Sequence, residues 1–137
     1  MRLFRYIRVV AKSLSMERLF QILSDRTRLR ILNVIGDREI CVCHFVTVLG
    51  DPQPKVSRHL SHLRANGLVS TRRDGKWVYY RIAPPANPWV ARVLRETLAW
   101  MSSDPEMCAD VRKLCIACGF RSNEVRSVDR RRSSAIA

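Results

Sequence analysis

Residues 53–82, QPKVSRHLSHLRANGLVSTRRDGKWVYYRI, admit few folds. In the first half, Val56, Leu60 and Leu63 recur at spacings of four and three, which lines one face of an α-helix. Pro54 suits the start of that helix, where a missing N–H costs little, and Gly67 stops it. The second half changes period. Two short runs rich in Val, Thr, Tyr and Trp flank Asp74-Gly75, a dipeptide that favours a tight hairpin turn. Neither the helix nor a lone hairpin buries its apolar face by itself, so this unit needs a partner layer.

The upstream residues supply one. Ser15 is placed to cap a helix running to about Leu23, with Leu19, Phe20, Ile22 and Leu23 apolar. Ser24 or Asp25 caps a second, RTRLRILNVI, which Gly36 ends. REICVCHFVTVLG reads as a third helix, with Ile40, Phe45, Val48 and Leu49 apolar and Gly50 closing it. After the hairpin, Pro84, Pro85 and Pro88 break the chain. WVARVLRETLAWMS then forms a fifth helix, and a sixth over about 105–117 carries Cys108, Cys115 and Cys118. Three helices, a turn, a further helix and a basic hairpin make a winged helix-turn-helix: mainly α, with a small β wing.

Charge says what such a fold would touch. The formal net charge is +13, and residues 53–82 hold Lys55, Arg58, Arg64, Arg72, Arg73, Lys76 and Arg81 against Asp74 alone. A surplus confined to one helix and hairpin points to a polyanion, and the major groove of DNA accepts one α-helix. Ser57, Arg58, Ser61 and His62 lie opposite the apolar stripe as base or phosphate contacts, with Arg64 one turn from the helix end. Gln53 and Lys55 stand at the helix N-terminus, where free N–H groups also attract phosphate. Arg72, Arg73 and Lys76 at the hairpin tip suit the neighbouring backbone or minor groove. His59, three residues after Val56, is expected to be partly buried rather than to read bases.

Other classes fit less well. His44, His59 and His62 have no carboxylate placed to orient them, and there is no phosphate-binding glycine loop, which disfavours an enzyme. No run of eighteen apolar residues exists, so no membrane span is expected. Residues 1–15 carry Arg2, Arg5, Arg8 and Lys12 between apolar positions. They read either as an extra amphipathic helix or as an extension ahead of a true start at Met16. The arginine- and serine-rich residues 121–137 read as a disordered basic tail. The organisation expected is therefore an extension over 1–15, a winged domain over 16–104, a cysteine-bearing helix over 105–120 and the tail.

Five cysteines without an export signal argue for a reducing, cytoplasmic setting and against a disulfide framework. Cys41 and Cys43 could be small buried hydrophobes, a redox pair or part of a site for a soft ion. Within one regular helix, residues two apart point about 200° from each other, so both could bind one ion only if the turn loosened. A place near a helix N-terminus is expected to lower a thiol's pKa.

LFQILSDRTRLRILNVI, EICVCHF and the 53–82 unit resemble the ArsR/SmtB metalloregulatory repressors, most closely their arsenic-responsive branch, over about residues 16–104. The resemblance implies a homodimer joined through the first and fifth helices. It implies repression of a resistance operon, relieved when As(III) or Sb(III) binds Cys41 and Cys43 and distorts the helix bracing the DNA reader. A Cd(II)-, Pb(II)- or Bi(III)-responsive repressor, a thiol redox sensor, and a constitutive winged-helix nucleic-acid binder with inert cysteines are the alternatives. Members often carry a third cysteine three residues after the second; here that position is Val46. Cys108, Cys115 and Cys118 could supply the missing ligand or form a separate site, an external thiol or water could equally complete the set, and His44, expected on the surface, suits a soft metalloid poorly. Another subgroup binds Zn(II) between its fifth helices through Asp and His, and residues 88–103 contain neither.

Overall fold

The computed structural model describes residues 14–119, so the expectations for residues 1–13 and for the basic tail lie outside the described residues. Helix α1 (Met16–Leu23) starts where the Ser15 hydroxyl accepts the Arg18 N–H at 3.2 Å. Helix α2 (Arg26–Ile35) starts where the Asp25 carboxylate accepts the Arg28 N–H at 3.0 Å. Between these caps, the Arg28 guanidinium donates to the carbonyls of Ile22 and Gln21, satisfying the last turn of α1.

The chain then departs from its expected course. Ile40–Cys41 is a strand, β1, and helix α3 covers only Val42–Leu49. Pairing wins over one more helical turn because Ile40, β-branched and fully buried, fits a pleated surface against a partner strand. Gly50 ends α3 at φ +70°, a left-handed conformation that costs glycine nothing. Helix α4 (Gln53–Ala65) follows, with Val56, Leu60 and Leu63 all fully buried as their spacing required.

Strands β2 (Val69–Asp74) and β3 (Trp77–Ile82) form the hairpin. Asp74 pairs with Trp77, so the turn residues are Gly75 and Lys76, one position later than expected. Gly75 takes φ +59°, and a Cβ there would meet no atom within 4 Å. The demand for glycine is thus conformational rather than steric. The sheet is three-stranded and antiparallel in the order β1-β3-β2, with Ile40 opposite Tyr80 and Cys41 opposite Tyr79.

Helix α5 (Pro88–Met101) begins at an Asn87 cap, and α6 (Pro105–Cys118) at Asp104, whose carboxylate accepts the N–H groups of Glu106 and Met107. α6 is held to α2 and α3 by more than apolar contact. Asp110, 1% exposed, receives both guanidinium nitrogens of Arg30 at 2.8 and 2.9 Å. Buried Asn33 donates to the Met107 carbonyl at 3.0 Å. Met107 and Leu114 complete a core shared with Ile31, Leu32, Ile35, Phe45 and Leu60.

Removing one partner of a buried, bidentate pair strands a charge, and typically costs about 3–5 kcal/mol. Asp110→Ala should therefore lower stability by about 3 kcal/mol in urea unfolding. Arg26→Ala, which breaks the exposed contacts of Arg26 with Asp104 and Glu106, should have a much smaller effect.

Candidate nucleic-acid interface and thiol site

The outer stripe of α4 is Pro54, Arg58, Ser61 and Ala65, all exposed and directly opposite Val56, Leu60 and Leu63. Gln53 is exposed at the helix start, while Lys55, Ser57 and Arg64 are half-buried on its flanks. Lys55 also reaches Asp51 at 3.2 Å. His62 lies off this stripe. Its ring is half-buried, with Nδ1 out of solvent and without a hydrogen-bond partner. Burial, then the positive charges of Arg28 and Arg18, hold its pKa below the ordinary imidazole value. His59 is also half-buried, 4.0 Å from Asp25. Of the side chains expected to contact DNA from α4, Gln53, Arg58 and Ser61 are thus the exposed ones.

On the wing, Arg73 and Lys76 are exposed, and Lys76 lies over the ring of Trp77 at 5.4 Å. Trp77, 47% exposed at the hairpin tip, was not among the expected contacts; its place right after the turn was the signal. Arg72 differs from the other two. Its guanidinium grips Glu39 at 2.6 and 3.1 Å and stacks 4.6 Å over the Tyr79 ring. That charge is paired with the residue preceding β1. Several arginines outside 53–82 are likewise engaged: Arg26 and Arg30 on acids of α6, Arg28 and Arg38 on helix-end carbonyls.

The thiols sit where the sheet meets α3. Cys41 is buried in β1 and occupies the extended N-cap position, φ −79°, ψ 152°, while Cys43 lies exposed in the first turn of α3. The 200° separation expected for two positions of one regular helix therefore does not apply, because the chain is already extended at Cys41. Partial loss of solvent, then the adjacent Cys41 thiol, pushes the pKa of Cys43 up. The helix N-terminus was expected to lower it; the backbone N–H contact does act that way but is outweighed.

Val46, where a third cysteine is frequent, packs against the core. His44 is half-buried rather than on the surface, and burial lowers its pKa. Cys108 donates its S–H to the Ser102 carbonyl at 3.0 Å, at the α5–α6 junction. Cys118 packs against the core at the far end of α6. Among the described residues no group of three or more His, Cys, Asp or Glu is already gathered to hold an ion. Cys41 and Cys43 are two thiols that lie side by side at this corner.

The sheet links this corner to the wing. Cys41 stands opposite Tyr79, and Tyr79 opposite Arg72, so the three share one row across β1, β3 and β2. On the other face Phe45 of α3 meets Tyr80 edge-on, with ring centroids 6.2 Å apart. α3 also packs directly on α4.

Comparison with known proteins agrees with this architecture. Residues 25–71 match the family model described as bacterial regulatory protein, arsR family. The chain is 44% identical over 97 residues to the arsenical resistance operon repressor of Escherichia coli K12, covering 70% of this chain and 81% of that protein. It is 49% identical over 80 residues to the arsenic resistance transcriptional regulator ArsR2 of Pseudomonas putida, covering 58% and 70% respectively. Among solved structures, a homodimeric winged helix-turn-helix DNA-binding domain from Mycobacterium bovis superposes with a TM-score of 0.52 at 30% identity. That match covers 65% of this chain and 80% of the other. A winged helix with this wing, this basic helix and relatives at this identity leaves one assignment: the chain belongs to the arsR family of bacterial regulatory proteins.

Proposed function

We propose that the chain is a homodimeric repressor of a metalloid-resistance operon that leaves its operator when As(III) or Sb(III) is captured by Cys41 and Cys43. The observation that carries the reading is the position of Cys41. It lies in the strand bonded to the wing and begins the helix packed on α4, so bonding its sulfur and that of Cys43 to one atom acts on both DNA-contacting elements. Soft thiolates favour thiophilic ions, and the named relatives include two arsenic-resistance regulators. Switching from mostly bound to mostly released needs a differential affinity of about 5 kcal/mol.

The proposed dimer surface is apolar and accessible. Met16 and Phe20 on α1, and Trp89 and Trp100 on α5, are 72%, 54%, 69% and 80% exposed. Large aromatics in water on two helices mark an interaction surface, and a two-fold pair covers the same patch on both copies. Two recognition helices then read two half-sites of a palindrome. A redox switch fits less well: a disulfide between residues so close in sequence is strained, and the raised pKa of Cys43 withholds its nucleophilic form.

Three experiments check this reading. Fluorescence anisotropy on operator duplex should show release of the wild type by arsenite and none for the Cys41→Ser/Cys43→Ser protein. Release by Cd(II) alone would replace the metalloid with a divalent ion, and continued binding of both proteins under either would end the inducer assignment. In salt titrations, loss of one phosphate contact lowers the slope of log K against log salt by about 0.9, or about 1.8 for a symmetric dimer. Arg58→Ala and Lys76→Ala should each do so, whereas Arg72→Ala should weaken binding with the slope unchanged. Finally, Trp100→Glu with Phe20→Glu should yield a monomer by light scattering and abolish high-affinity operator binding.

A further inference from the structure

Met16, Phe20, Trp89 and Trp100 expose their apolar side chains on α1 and α5, the surface proposed to join two copies. Trp77 is exposed on β3 instead, at the tip of the wing. Side chains alternate across a strand, so Trp77 shares the face of Tyr79, and the opposite face carries Tyr80 and Ile82, which pack against the core. The indole is therefore turned away from the core. The third strand does not reach it either. β1 ends at Cys41, opposite Tyr79, so from Val78 to the turn the wing is a ribbon of two strands. Asp74, directly opposite Trp77, has its carboxylate 3.9 Å from the Arg72 guanidinium. The cations beside the ring face solvent: Lys76 lies 5.4 Å from its centre, and Arg73 is exposed one residue pair along the ribbon.

We propose that Trp77 is a specificity-determining residue, reading the deformability of the DNA beneath the wing, an inference that rests on the chain being an operator-binding dimer. Whatever covers an indole flanked by two cations must offer an apolar surface edged with negative charge. The minor groove of duplex DNA does both, since deoxyribose carbons form its walls and phosphates its rims. Seated there, the ring packs against the sugars while Lys76 and Arg73 meet the flanking phosphates. A ring of this size needs a widened groove. Widening costs least at flexible pyrimidine–purine steps and most in stiff, narrow A-tracts. Trp77 thus makes affinity depend on base pairs outside those addressed by α4, with no hydrogen bond to a base edge. Because the indole is uncharged, its share of the binding involves no release of counterions.

The test is a set of parallel selections from a random-sequence duplex library, by the full-length wild type, Trp77→Ala and Trp77→Arg. Hydroxyl-radical footprints then locate the wing on the selected duplexes. All three proteins should enrich the same half-sites, which also reports that the variants fold. Wild type should enrich pyrimidine–purine steps where the wing sits, and Trp77→Ala should lose that preference. Trp77→Arg should reverse it, because the narrow groove of an A-tract attracts arginine. Exchanging the preferred step for an A-tract should weaken wild type by about fivefold or more and Trp77→Ala by less than about twofold. Equal flank preferences in the three pools, or the same A-tract penalty for wild type and Trp77→Ala, overturn the role of Trp77. So does a salt slope that falls in Trp77→Ala, since the loss would then belong to the charge of Lys76. The underlying reading fails separately, if the wild type enriches no half-site at all.

Discussion

Two residues of backbone pairing hold the corner between the wing and α3 together. Ile40 and Cys41 form the shortest strand of the fold, yet through β3 they tie the start of α3 to the wing. The pairing is reinforced on both sides. Ile40 is fully buried against the core, and Glu39 just before it holds Arg72 of the neighbouring hairpin by a bidentate pair. Cys41, Tyr79 and Arg72 form a row across the three strands, so a side-chain displacement at one end has a packed path to the other. A helix continuous through Cys41 would have removed the third strand of the sheet and its backbone pairing to β3.

Charge acquires its meaning from what each side chain already touches. A net charge of +13 states that the chain seeks a polyanion, but not with which residues. Arg26, Arg28, Arg30 and Arg38 hold acids or helix-end carbonyls and so stabilise the helical body. Arg72 holds Glu39. Arg58, Arg73 and Lys76 remain on the open face of α4 and the wing, where the fold exposes them together. The basic surface is therefore narrower than the basic segment.

Much of this was legible from residue order. The spacing of Val56, Leu60 and Leu63 and the change of period after Gly67 predict the helix and hairpin that the structure contains, and Ser15, Gly36 and Gly50 mark helix ends where they fall. The strand at Ile40–Cys41 was not legible, because a two-residue strand has no periodicity of its own and exists only through its partner. His62 looked outward on a helical wheel and proved half-buried, because α4 packs against α2 as well as α3. The turn slipped one residue for a local reason: Gly75 accepts positive φ, and Asp74 stays extended and paired.

Residue types and spacing by themselves determined that this chain is a winged helix-turn-helix with a basic reading helix and a pair of soft thiols just upstream. Hydrophobic period, capping chemistry and formal charge are properties of neighbours in sequence, and they survive without a fold. Only the tertiary structure decided that Cys41 is a strand residue bonded to the wing, that Arg72 is paired, and that Cys118 rather than Cys108 or Cys115 continues the buried face of α6. Those facts depend on contacts between residues tens of positions apart. Their geometry comes into being when α6 closes over α2 and α3, and Asp110 receives Arg30.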